Sequence, residues 1–184
     1  KGQTPLVNDC QYMVKRKQEI FLDKGEVIPE TKIVDANYIE YRALKDPREI
    51  LMLDPACGSM HFGLYCFDLF EQIYLEAWDN HSELMLDLRD KYLREDYVKR
   101  IPGYILQYNI HGVDIDPRAI QIAGLSLWLR AQKSYKKLGL QPADRPMIKK
   151  SNLVVAEPMP GDAGLLSEFT RSLPGPIGKL VKVI

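Results

Sequence analysis

An open α/β sheet is the fold class that this sequence predicts, on three observations. Ile50-Leu51-Met52-Leu53 is an apolar run that stops at Asp54, and its lack of polar alternation suits a parallel strand buried on both faces. Asn109-Ile110-His111-Gly112-Val113-Asp114-Ile115-Asp116-Pro117 repeats the plan, an apolar strand that ends in carboxylates. After each comes a long stretch with apolar residues at three- and four-residue spacings, over 61–79 and 118–137, as an amphipathic helix requires. Strands alternating with helices build a parallel sheet.

The elements follow in order. Asn8 or Asp9 is placed to cap a helix over about 9–24, with Met13, Ile20 and Phe21 on one face and Gly25 as its stop. Residues 26–35, with Pro29 and mixed charge, read as an exposed connection, and 36–45 as a short helical segment closed by Asp46-Pro47. Then come the strand 50–53, a turn of small residues over 54–60, and the helix 61–79. The wide apolar face of that helix makes Tyr65, Tyr74 and Trp78 core or interface residues rather than platforms for a base. Residues 82–101 predict a second helix. Its cations Arg89, Lys91, Arg94, Lys99 and Arg100 are diluted by Glu83, Asp87, Asp90, Glu95 and Asp96, so a solvated face is the better reading.

Asp116-Pro117 reads as an N-cap with proline at the first helical position, opening the helix over 118–137. Lys133, Lys136 and Lys137 favour the negative end of that helix, and Gly139 stops it. A loop over 141–146 leads to a third strand within 148–155, and about 163–173 is helical. The expected organisation is an N-terminal helical segment over 1–45, a core over 46–160 with a helical insertion at about 80–104, and the start of a further segment over 161–184.

Composition narrows the function. With 184 residues, 46% of them hydrophobic, one good core is the prior. Lys plus Arg and Asp plus Glu both total 25, so this stretch lacks the basic excess of a protein that grips duplex DNA mainly by its phosphates. The three cysteines, Cys10, Cys57 and Cys66, have no C-x-x-C spacing; neither a disulfide framework nor a metal site is indicated, and a reduced cytoplasmic setting is expected. No apolar stretch is long enough to cross a bilayer, so no membrane partner is expected. The start at Lys1 and the stop in Leu180-Val181-Lys182-Val183-Ile184 lead to the expectation of a fragment of something longer.

In open α/β sheets, ligands sit beyond the carboxyl ends of the strands, which is where residues 54–60 fall. Gly58 can take a positive φ, Ala56 and Ser59 leave room, and the N–H groups opening the next helix are donors to an oxygen. At the end of the second strand, an acidic side chain accepts hydrogen bonds from both hydroxyls of a ribose in nucleotide-binding sheets, and Asp114 stands there. Ile115 is placed to pack against an adenine ring. Asn152 has two readings, an amide for a base or the cap of a turn.

Asp54-Pro55-Ala56-Cys57-Gly58-Ser59, followed by the aromatic Phe62, closely resembles the first motif of the N6-adenine DNA methyltransferases. Met60 stands where that family usually has glycine. Gly112-Val113-Asp114-Ile115-Asp116-Pro117 is similar to the second motif, and the run through Tyr65 and Tyr74 looks most like the large single-chain methyltransferases of restriction and BREX-type phage-exclusion systems. The resemblance implies a Rossmann-like class I methyltransferase fold and S-adenosyl-L-methionine as cofactor. It implies that Asp54, Pro55, Ala56, Gly58, Ser59 and Phe62 line the cofactor, that Asp114 holds its ribose, with Ile115 beside it, and that Asn152 bonds its adenine amino group. Thr4-Pro5 is similar to the pair that opens an N-terminal helix near the methionine end. Double-stranded DNA, through regions outside this stretch, and restriction or phage-defence subunits are the partners implied.

Amino-directed enzymes of this kind use Asp, Asn or Ser followed by Pro-Pro and an aromatic. The chain has no such tetrapeptide; Glu157-Pro158-Met159-Pro160 is alike only superficially. Three strands are legible where a complete fold has about seven. Two functions of different class therefore stand. One is the cofactor-binding part of an adenine-specific enzyme, inactive alone; the other is a non-catalytic methyltransferase-like nucleotide-binding module of a DNA-recognition or defence complex. A protein or RNA methyltransferase is a lesser alternative.

Overall fold

Three parallel strands form the central sheet in the order β3, β4, β5, with β3 over Met52–Asp54, β4 over Ile110–Asp114 and β5 over Asn152–Val155. The computed structural model describes residues 19–30, 36–157 and 162–173. Met52 lies opposite Ile110 and Asp54 opposite Gly112; His111 lies opposite Asn152 and Asp114 opposite Val155. Two further strands, β1 (Glu19–Phe21) and β2 (Asn37–Ile39), pair in parallel as a separate ribbon.

Helix α1 (His61–Asn80) returns the chain from β3, and α5 (Pro117–Lys137) returns it from β4. Between α1 and β4 lies the insertion: a 3-10 turn Ser82–Met85, the short helices α2 (Leu86–Lys91), α3 (Arg94–Val98) and α4 (Ile101–Tyr104), and a π turn Ile105–Asn109. A last helix, α6 (Ala163–Ser172), is capped by the Asp162 carboxylate, which accepts from Leu165 N–H. No helix among the described residues is long and apolar enough to cross a membrane.

Both long helices cover one face of the sheet, because consecutive right-handed crossovers run in the same direction along it. On that face, a Cβ built on Gly112 of β4 meets Leu153, Cys57 and Met60, while a Cβ on Gly63 of α1 meets Met60 and one on Gly124 of α5 meets Leu153. The core is built here from Met60, Phe67, Phe70, Tyr74, Ala123, Leu127, Ala131 and Tyr135, joined by Tyr97 and Ile105 of the insertion. Among the described residues, no helix covers the opposite face. Leu51 is 69% and Leu53 62% exposed, and Val154 is exposed too, so the expectation of a first strand buried on both faces is not met.

Other expectations are corrected as well. The N-terminal helix expected over 9–24 lies outside the described residues up to 18; beyond them Glu19–Phe21 is strand and the chain then turns. Asn37–Ile39 is strand where a helical segment was expected. The helix expected over 82–101 is broken, since Tyr92 is extended at the end of α2 and Pro102 enters the first turn of α4. The helices expected over 61–79, 118–137 and 163–173 are found within one or two residues of those bounds.

One buried side chain ties the sheet to its helices. Asn109 donates through Nδ2 to the carbonyls of Pro47, at 2.6 Å, and Ile50, at 2.8 Å, and accepts from Tyr74 Oη at 2.9 Å. It thereby fixes the start of β4 to the 3-10 turn Pro47–Glu49 that leads into β3. Arg48 in that turn forks between Asp46 and Asp87, anchoring the insertion by α2.

Candidate functional site

The turn after β3 folds across the end of β4. Asp54 Oδ1 accepts from Ala56 N–H at 3.2 Å, which starts the turn; Cys57 N–H then donates to Val113 O at 3.0 Å and Gly58 N–H to Asp114 Oδ2 at 2.8 Å. Gly58 has φ +49, as the residue type allows at no steric cost. A Cβ built there meets nothing within 4 Å, so the space above the turn is open.

Asp114 is the hub. Its second oxygen, Oδ1, accepts from Asp116 N–H at 2.9 Å, and its backbone carbonyl accepts from Ala156 N–H at 2.8 Å. The N–H groups of Asp116 and Gly58 hold its carboxyl below the usual carboxylate range. Each carboxylate oxygen has two acceptor sites, so both retain capacity for a further donor. The Asp116 side chain caps α5 by accepting from Arg118 N–H, as its place before Pro117 predicts.

Met60 explains its own departure from glycine. Its backbone adopts the left-handed conformation with φ +70, the region glycine occupies most readily, and its side chain is fully buried. The thioether runs down into the core beside Gly63 and Gly112, so it fills the floor under the turn rather than the open space above it. Cys57 is buried beside it, and burial, with Asp114 and Asp54 nearby, pushes its thiol up. A thiol held protonated is a packing group, not a nucleophile.

Pro55 and Ala56 are exposed on the turn, and Ser59 Oγ lies 2.8 Å from His61 Nδ1. Helix α1 starts without a side-chain cap. Phe62, 75% exposed, and Ile115, 61% exposed, offer large apolar surfaces from the ends of the two strand–helix turns. Asp54, Pro55, Ala56, Gly58, Ser59, Phe62, Asp114 and Ile115 thus occupy the two turns at the carboxyl end of the sheet.

Asn152 is set apart from them. It opens β5 instead of following it, pairs with His111, and donates through Nδ2 to the carbonyls of Leu106, at 3.2 Å, and Gln107, at 2.9 Å. Its amide therefore closes the amino end of the sheet, with the length of β5 between it and Asp114. Beside Asp114 stand Ala156 and then Glu157, an exposed carboxylate that sequence reading passed over as part of a chain break. Its signal is positional: it is the first acidic residue beyond the third strand.

A Rossmann cofactor of the adenosyl type fits this arrangement on two observations. The turn leaves open space where any side chain at Gly58 would intrude, and the acceptor at the end of β4 is a carboxylate with unused lone pairs.

Part of the chain has relatives among large curated proteins. Over 125 residues it is 30% identical to the adenine-specific methyltransferase BrxX of Escherichia coli, covering 68% of this chain and 9% of that protein. It is 35% identical over 110 residues to a putative type II restriction enzyme and methyltransferase of Methanocaldococcus jannaschii, covering 59% of this chain and 8% of the relative. To the adenine-specific methyltransferase PglX of Lacticaseibacillus casei it is 26% identical over 110 residues, 60% of this chain and 8% of that one. The chain spans less than a tenth of the length of these relatives. No protein-family model matches it.

Proposed function

We propose, from kinship with methyltransferases named as adenine-specific, that this chain is the S-adenosylmethionine-binding part of an enzyme that methylates the N6 amino group of adenine in DNA, in restriction-modification or phage defence. One observation carries the cofactor reading: the glycine turn after β3 and the acidic end of β4 meet, through Gly58 N–H and the Asp114 carboxylate, beneath open space. In this reading Asp114 accepts from the ribose hydroxyls while remaining pinned by backbone N–H groups, so its orientation is set before any ligand arrives. Ile115 and Phe62 cover apolar parts of the ligand, and residues 54–59 bring their backbone close to it. Glu157 takes over from Asn152 as the acceptor for an adenine amino group. The bound cofactor supplies an electrophilic sulfonium methyl; Met60 and Cys57 close the floor beneath and keep water from that side.

The chain has no Pro-Pro pair anywhere. That observation favours a second reading for the stretch taken by itself, a nucleotide-binding module without its own methyl-accepting site. Both readings require the same site at the turn of Gly58 and the end of β4.

Calorimetric titration of the chain with S-adenosylhomocysteine tests it. Micromolar binding, about −8 kcal/mol, weakened more than tenfold by Asp114→Ala, is the expected result. Because Asp114→Ala also releases Gly58 N–H, Asp114→Asn is run alongside with a thermal melt of each. Unchanged affinity in both folded variants refutes the ribose assignment.

A further inference from the structure

At the opposite end of the sheet from the turns of Asp54 and Asp114, a pocket of about 320 Å3 is lined by Arg100, Gly103, Tyr104, Gln107, Lys149 and Lys150, with Pro146 to Ile148 completing its wall. Gln107 precedes β4 and Lys150 precedes β5, and Asn152 stitches these two segments together through its bonds to the carbonyls of Leu106 and Gln107. The lining carries three cations and no carboxylate.

Cations without a carboxylate partner are common among the described residues, but here three of them share one pocket. Arg48, Arg94, Lys99, Arg118 and Arg130 each pair with an aspartate, whereas among the described residues no carboxylate pairs with Arg100, Lys149 or Lys150. Arg100 is held by stacking instead: its guanidinium lies 4.3 Å from the centroid of the Tyr92 ring, and its buried Nε has no hydrogen-bond partner. A stacked guanidinium keeps a fixed orientation and leaves the terminal donors of its fork free for an acceptor.

We propose that this pocket binds a phosphate group. A guanidinium fork beside two ammonium groups suits a compact oxyanion with several acceptor oxygens, and Gln107 and Tyr104 add polar groups at its rim. The phosphate comes either from a free phosphate compound or from a nucleic-acid backbone. The inference is independent of the cofactor reading, since the pocket shares no residue with that site.

The test titrates the chain with pyrophosphate and, separately, with a short DNA duplex, using Lys149→Ala/Lys150→Ala as the variant. Both lysines are exposed, so the fold survives, which a thermal melt verifies. Lys133→Ala/Lys136→Ala, on the exposed side of α5, matches the charge change elsewhere. Expected is binding of at least one ligand that the first variant weakens roughly tenfold and the second leaves unchanged. Pyrophosphate binding identifies a free phosphate compound as the occupant, and binding of duplex alone identifies the backbone phosphodiester. Binding of neither, or equal loss in both variants, overturns the proposal.

Discussion

Replacing Gly63 by alanine puts a methyl carbon 2.6 Å from Met60 Cγ, 2.8 Å from its Cε and 3.0 Å from its Sδ. Met60 is fully buried, so moving its side chain off the new methyl displaces other core atoms. Overpacking of this kind costs about 1–3 kcal/mol, against a gain of up to about 1 kcal/mol in helix propensity. Gly63→Ala therefore destabilises by about 1–2 kcal/mol. Met60→Ala alone removes a fully buried side chain and costs about 2–5 kcal/mol. In that background the clash is gone, and Gly63→Ala becomes stabilising by about 0.5–1 kcal/mol. The sign reversal corresponds to a coupling of about 2 kcal/mol. Urea unfolding of the four proteins, followed by the fluorescence of buried Trp78, measures it. Effects that add to within about 0.5 kcal/mol refute the account of Met60 as the floor of the turn.

Asn109→Ala leaves Tyr74 Oη and the carbonyls of Pro47 and Ile50 without their partner, at a cost of about 3 kcal/mol; a loss below about 1 kcal/mol in urea denaturation contradicts the tie between β3 and β4. Gly58→Val forces a β-branched residue to φ +49, costing about 1–2 kcal/mol, but its Cβ meets no protein atom, so the variant stays folded while calorimetric binding of S-adenosylhomocysteine is abolished. The carboxyls of Asp79 and Asp87 are held low by hydrogen bonds from Arg94 and Arg48. Stability from a depressed carboxylate is full above its unfolded value, about pH 4, and is lost as the pH falls through the lower folded one. Denaturation midpoints should thus be flat from neutrality down to about pH 5 and fall below that, and Arg48→Ala should flatten part of the acid limb; a steep change near neutrality speaks against this.

The strand, turn and helix around Gly58 were legible because every signal there is local: an apolar run, small residues, then a helical period. Asp114 was legible for the same reason, since the carboxylate closes its strand. The place of Asn152 at the start of β5 was not legible, because nothing in 148–155 marks where the strand begins, and a shift of a few residues moves a side chain from one end of the sheet to the other. Strands β1 and β2 are three residues each, too short to show a period, and exist through a pairing that only the folded chain supplies. Asn109 carries no sequence mark either, because its partners lie about sixty residues away. The open face of the sheet follows from the handedness of two crossovers, a property of path rather than of composition.

Strand β3 has a neighbour on one side alone among the described residues, and Leu53 within it and Leu51 just before it are exposed. A free edge of this sort offers backbone donors and acceptors to any extended segment that approaches. Charge guards only its ends, at Arg48 and Glu49 before it and at Asp54, its last residue. An edge of this kind favours strand-to-strand association as protein concentration rises, without any change on the helical side of the sheet.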